Sequence, residues 1–134
     1  MSTTLSDYAE NKVTDHVLGT TNYAFVAQLY LGLFTTNPNF ETGVGGVEAA
    51  GGSYVRKAIN FDAASGGVTQ QDGALVWTVG TDVAAQTMTG WGVFDASSGG
   101  NMMFGDTFAA NKALSGTGDI LTFADATGIT FSLT

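Results

Sequence analysis

Apolar positions recur at helical spacing only near the start of the chain. Leu5, Ala9, Val13 and Val17 fall four residues apart, with Tyr8 three after Leu5, and Asp7, Glu10 and Lys12 lie between them. That spacing gathers the apolar set on one face of a helix and turns the charged set to water. Thr4 and Asp7 read as a capping box, a hydroxyl followed three residues on by an acid. Gly19, after Leu18, reads as the stop. A helix over 5–18 is expected, with Leu5, Tyr8, Val13 and Val17 covered.

The period then shortens. "YAFVAQLYLGLFTT" (23–36) is apolar and aromatic with no polar helical face, and predicts a buried strand. "SYVRKAINF" alternates, with Val55, Lys57, Ile59 and Phe61 on one side and Tyr54, Arg56, Ala58 and Asn60 on the other. "GALVWTV", "MTGWGVF", "NMMFGDTF", "DILTFA" and "GITFSLT" are short, rich in Phe, Val, Thr or Trp, and bounded by Gly, Asp, Ser or Asn. This spacing predicts about seven strands in an antiparallel β-sandwich. The expected organisation is one domain, 1–134, with the helix in 1–19 and the sandwich in 20–134. Between two of the strands, "NPNFETGVGGVEAAGG" (37–52) reads as a long Gly-rich loop holding the only proline.

Composition sharpens the picture in two places. Charged residues are 12% of the chain, about half the usual share, so the polar surface must be Thr, Ser, Asn and Gly. Such a surface suits a protein packed against others, and oligomerisation is expected. Twelve acids against four bases give a net charge of −8, which disfavours nucleic acid as a partner. The chain has no cysteine, hence neither disulfides nor thiolate chemistry. Its first residues lack the pattern of a secretory signal, and its longest apolar run is too short to span a bilayer. Synthesis in the cytoplasm and no membrane partner are therefore expected.

One phrase occurs twice. "FDAASGG" (61–67) returns as "FDASSGG" (94–100). Each copy ends a strand-like run in Phe, and each is followed by another β-like run. Asp can bond the backbone just ahead, and Gly-Gly supplies positive φ. The phrase therefore reads as a strand connector used twice, with Asp62, Gly66, Gly67, Asp95, Gly99 and Gly100 forming the turns. The carboxylates are expected to bind N–H groups two or three residues on. A phosphate loop is disfavoured, because no lysine follows the glycines and no helix opens there.

Candidate chemistry is sparse. His16, the single histidine, fits the edge of the helix stripe better than a catalytic role, which would need a nucleophile and an orienting group. One histidine and no cysteine give no zinc constellation, and no EF-hand spacing is present. A glycosidase pair among the twelve acids is possible by count, but Asp62, Asp72, Asp82, Asp95, Asp106 and Asp119 sit beside turn residues. Trp77 and Trp91 lie in strand-like runs, where a core role is commoner than a sugar platform. No catalytic, cofactor-binding or metal-binding residue is assigned.

Taken in order, "LSDYAENKVTDHVLG", "LYLGLFTTNP", "GGSYVRKAINF", "GWGVFDASSGGNMMF" and "DILTFADATGITFSL" resemble a family of small bacteriophage structural proteins. Its members are called tail-fibre-like or capsid decoration (cement) proteins. The resemblance covers nearly the whole chain, although Trp91 stands closer to Asp95 than in the family pattern. It implies a virion component without a catalytic site. The function expected first is capsid decoration, in which an oligomer, a homotrimer by expectation, braces the major capsid protein. A tail or head fibre module contacting the host is the alternative, and a carbohydrate-active enzyme the outsider. Two apolar residues in the long loop, Val44 and Val47, lack a periodic partner. With Pro38, and with Tyr8 and Val13 of the helix, they are the expected assembly contacts.

Overall fold

The computed structural model describes residues 4–24 and 26–133, with the backbone only of Thr4. A two-residue strand, β1 (Thr4–Leu5), leads into α1 (Asp7–Val17). There follow β2 (Leu29–Thr36), β3 (Val47–Glu48), β4 (Lys57–Phe61), β5 (Val68–Asp72), β6 (Leu75–Thr78), β7 (Gln86–Phe94), β8 (Met102–Leu114), β9 (Ile120–Phe123) and β10 (Thr130–Ser132). Eight strands form one sheet in the order β1-β8-β7-β2-β4-β5-β10, with β3 beside β2 end to end with β4; β6 and β9 form a separate ribbon. The ladders are antiparallel. The chain is mainly β, a curled sandwich-like sheet with one short N-terminal helix.

The core lies between the inner face of the curl and the ribbon. Leu31 and Leu33 from β2, Trp91 and Val93 from β7, and Phe104 from β8 alternate inward and are buried. From the ribbon come Trp77, Leu121 and Phe123. Edge-to-face contacts run through them: Trp77 to Phe123 at 5.9 Å, Phe123 to Trp91 at 6.3 Å, Trp91 to Phe104 at 6.1 Å. Phe131 of β10 meets Phe104 at 4.9 Å, so the far ends of the sheet face each other across the curl. Each such ring, fully buried, contributes about 1.5–3 kcal/mol. Trp77 and Trp91 have no exposed surface and offer no sugar platform.

The outer face of the same strands carries a glycine row. Gly32, Gly92 and Gly105 lie in register across β2, β7 and β8. A Cβ on Gly92 would stand 2.8 Å from the sulfur of Met102 and 3.2 Å from the ring of Phe34. The bare backbone lets Phe34, Phe94 and Met102 lie flat across three strands as a second buried cluster, with Phe40 against it.

Several boundaries differ from the sequence reading. Thr4 is not seen to cap the helix: its backbone belongs to β1, its side chain is outside the described residues, and the N-cap is Ser6. The helix therefore starts at Asp7. The strand expected from residue 23 begins only at Leu29, and Phe25 of that stretch is outside the described residues. Three strands went unanticipated. β1 and β3 are two residues long, too short for a pattern. β5, "VTQQD", is polar because its one fully buried side chain is Gln71. The Gln71 amide donates to the carbonyls of Gly73 (2.7 Å) and Phe123 (3.0 Å), tying β5 to the ribbon.

Candidate functional site

Arg56, just ahead of β4, organises the outer face. Its side chain is only 8% exposed. Nε and Nη2 donate to the two carboxylate oxygens of Glu48 at 2.8 and 2.9 Å. Nη1 donates to the carbonyls of Ala96 (3.0 Å) and Gly99 (2.7 Å), and the guanidinium lies 3.5 Å over the ring of Phe94. The Tyr54 hydroxyl donates to Glu48 (2.9 Å) and accepts the N–H of Leu33 (2.9 Å). Burial pushes that hydroxyl well above the usual tyrosine range. The Glu48 charge pushes the same way, and the Leu33 N–H and Arg56 oppose it. A fork-to-fork ion pair of this kind is directional as well as attractive. Sequence reasoning placed Tyr54 and Arg56 on one side of their run but gave them no role. Glu48 lies on a strand too short to read, which hid the partner.

The loop that Arg56 holds is the second copy of the repeated phrase. β4 and β7 flank β2 and both run against it, so both copies emerge at the end of the sheet where β2 begins. The phenylalanines part company there: Phe61 packs on the inner core and Phe94 belongs to the outer cluster. The copies are connectors between unlike neighbours, with no duplicated substructure behind them. Gly66, Gly67, Gly99 and Gly100 have φ of +61°, +78°, +62° and +70°. The carboxylates bond further along the chain than expected. Asp95 accepts the backbone N–H (2.7 Å) and side-chain amide (3.0 Å) of Asn101, and Asp62 accepts from the side chain of Gln70 (3.0 Å). Each loop is long enough that its aspartate spans the neck, leaving the tip to the glycines.

The N-terminal helix is capped by Ser6, whose Oγ accepts the N–H of Ala9 at 3.3 Å and donates to the carbonyl of Met102. Ala9 is the one helix residue fully covered among those described. Leu5, Tyr8 and Val13 are half-buried, whereas Val17 is 73% exposed, against the expectation that the whole stripe would be covered. The reason is geometric: β8 supports only the first turns of the helix, and its last turn overhangs. Beneath it runs an apolar groove of about 500 Å³ lined by Val13, His16, Val17, Tyr23, Leu29 and Met103, among others. His16 Nδ1 accepts the backbone N–H of Tyr23 at 3.2 Å. Burial, then Tyr8 and Asp95, raise the pKa of Tyr23.

The long loop is partly ordered by itself. Asn39 and Val44 bridge, Gly43 N–H donates to Asn39 O (2.8 Å), and the Asn39 side chain accepts the N–H groups of Glu41 and Thr42 at 3.0 Å. The Asp7 N–H donates to Glu41 O at 2.6 Å, setting this turn against the start of α1. Of the expected contact residues, Val44 and Val47 are exposed, Tyr8 and Val13 half-buried, and Pro38 buried within its own chain. A Cβ on Gly46 would lie 2.6 Å from the nitrogen of Pro38, so the loop closes over that proline.

All four cations lie over aromatic rings: Lys12 on Tyr8, Arg56 on Phe94, Lys57 on Trp77 and Lys112 on Phe108. Lys57 also pairs with Asp82 at 3.5 Å. Among the described residues, no group of three His, Cys, Asp or Glu is placed to hold a metal ion, and no helix is long and apolar enough to cross a membrane.

A β-rich module with clamped connecting loops and apolar side chains left on its surface has the build of a structural component. Residues 4–131 match the family described as "Podophage GP4 fiber I protein gp80", and the chain belongs to that family of phage fibre proteins. It is thus a bacteriophage structural protein and a virion component. No curated protein matched the chain.

Proposed function

We propose that this protein is a non-enzymatic building block of the virion, a fibre module whose copies associate with one another and with neighbouring virion proteins. The observation that carries this reading is the family match over residues 4–131, whose description is that of a fibre protein. The exposed valines at 17, 44 and 47 on a chain with so few charges give it surface to bury against neighbours. Capsid decoration is the second reading, favoured by the same valines and by the low-charge surface, which would suit a homotrimer lying against the major capsid protein. Quantitative mass spectrometry of purified particles, with immunogold labelling, separates the two. Dozens of copies or fewer, with label on projecting fibres, are expected. Hundreds of copies spread over the shell would overturn the fibre reading in favour of decoration. Turnover in a glycan-cleavage assay would overturn the non-enzymatic reading.

A further inference from the structure

Residues 4–17 meet the body mainly through one strand, β8, with one further tie from the Asp7 N–H to Glu41 O at 2.6 Å. Leu5 pairs with Phe104 and Thr4 with Gly105. The Ser6 N–H donates to Met103 O at 2.9 Å, and the Ser6 hydroxyl donates to Met102 O. The pairing partners of β1 and both partners of Ser6 belong to β8, which makes β1 and α1 an arm laid along a strand edge. The chain then returns to the sheet through residues 18–28, in which no helix or strand is described. This connection is tied down by Thr20 N–H to Asp15 O (2.8 Å), Thr21 N–H to Asp15 O (3.3 Å) and Tyr23 N–H to His16 Nδ1. Residues 18–22 are exposed, so these ties exchange readily for water.

We propose that copies of this chain link by exchanging the β1–α1 arm, each arm docking on β8 of a neighbour. The proposal rests on the reading that copies associate, and says how. An exchanged arm makes the same contacts it makes at home, so no contact is lost; the cost is opening the connection and bringing two copies together. Eleven residues, extended, reach about 36 Å, enough to cross to an adjacent copy. The partner is a second copy because the docking edge is specific to this arm: the register with Phe104 and Gly105, and the Ser6 contacts to Met102 and Met103, exist only on β8 of this chain. The apolar surface also falls where exchange would use it. Val17 and Leu18, 73% and 74% exposed, sit at the start of the connection beside the open groove. Two connections crossing between neighbours would cover them.

Complementation between two spoiled chains tests this. Ala9→Asp spoils the arm and leaves the acceptor strand intact; Met103→Asp spoils the acceptor and leaves the arm. Each alone should sediment as a monomer, and refolding the two together should give hetero-oligomers, since an intact arm then meets an intact acceptor. A mixture that stays monomeric while the wild type associates would overturn arm exchange and leave the fibre reading standing. A wild type that is monomeric at every concentration would overturn exchange and self-association together. A second variant guards against misfolding of Met103→Asp. Deleting Thr20, Thr21 and Asn22 removes both ties to the Asp15 carbonyl that hold the connection closed and shortens it from eleven residues to eight, and should tighten self-association at least about tenfold. Unchanged or weaker association in that variant would also overturn the proposal.

Discussion

At the scale of single residues, the outer face depends on Arg56. Lysine at that position keeps the charge but loses the fork that meets both oxygens of Glu48 and the two loop carbonyls at once. Arg56→Lys is expected to cost about 2 kcal/mol in urea unfolding. It should also broaden the backbone NMR signals of Ala96 to Gly99, which a mere loss of stability would leave sharp. Tyr54→Phe leaves the N–H of Leu33 without its partner, at about 1–3 kcal/mol. The raised pKa of Tyr54 carries a pH dependence. Its contribution is whole below the ordinary tyrosine value of 10.0 and is lost as pH climbs towards the folded value. In an alkaline absorbance titration of the four tyrosines, one should ionise only together with unfolding, and that step should vanish in Tyr54→Phe. Asp119 works in the opposite sense. The N–H groups of Gly116 and Ser115 hold its carboxyl below the ordinary 3.8. The stability it lends is present above that value and disappears as pH falls through the lowered one, so Asp119→Asn should flatten the acid limb of a stability–pH curve.

At the scale of elements, the two connectors make a sharper prediction than their shared spelling suggests. In each Gly-Gly pair the first glycine has open space where a Cβ would go. The second is blocked, Gly67 by the Leu133 carbonyl at 2.7 Å and Gly100 by the Asp95 carboxylate and Ala96. All four sit at positive φ, so Gly66→Ala and Gly99→Ala should each cost about 1 kcal/mol. Gly67→Ala and Gly100→Ala should cost clearly more, and thermal melts of the four variants would show the alternation. What the sequence disclosed follows the same divide. Periodicity found α1, the inward residues of β4, and the strands bearing Trp77, Trp91 and Phe104, because each buries a regular face against one core. It could not find β5, whose buried residue is an amide, nor β3, whose value lies in holding Glu48 under Arg56. It overstated the helix stripe, because spacing says which residues share a face but not how far the supporting strand extends. At Val13, half-buried rather than enclosed, Val13→Asp should therefore cost less than a charge in the core would.

At the scale of the whole molecule, twelve acids face four bases, and two of those bases are already paired with Glu48 and Asp82. Copies that associate must approach against their own charge. Self-association should therefore strengthen as salt rises to about 0.15 M, where screening acts over about 8 Å, and sedimentation at several ionic strengths would show it. Dependence of the opposite sign would mean that unlike charges meet across the contact between copies. The placement of the four cations has a separate outcome. Lys12 lies within α1, Arg56 and Lys57 at the head of β4, and Lys112 within β8. The exposed connectors at 62–67, 97–101 and 115–119 contain neither lysine nor arginine. Trypsin, which must draw a loose stretch of chain around a basic residue into its cleft, meets such residues only in or beside regular structure. Its first cut should track the fraction of molecules that have opened, so a particle built from this module would pass through a trypsin-rich fluid with its surface loops uncut.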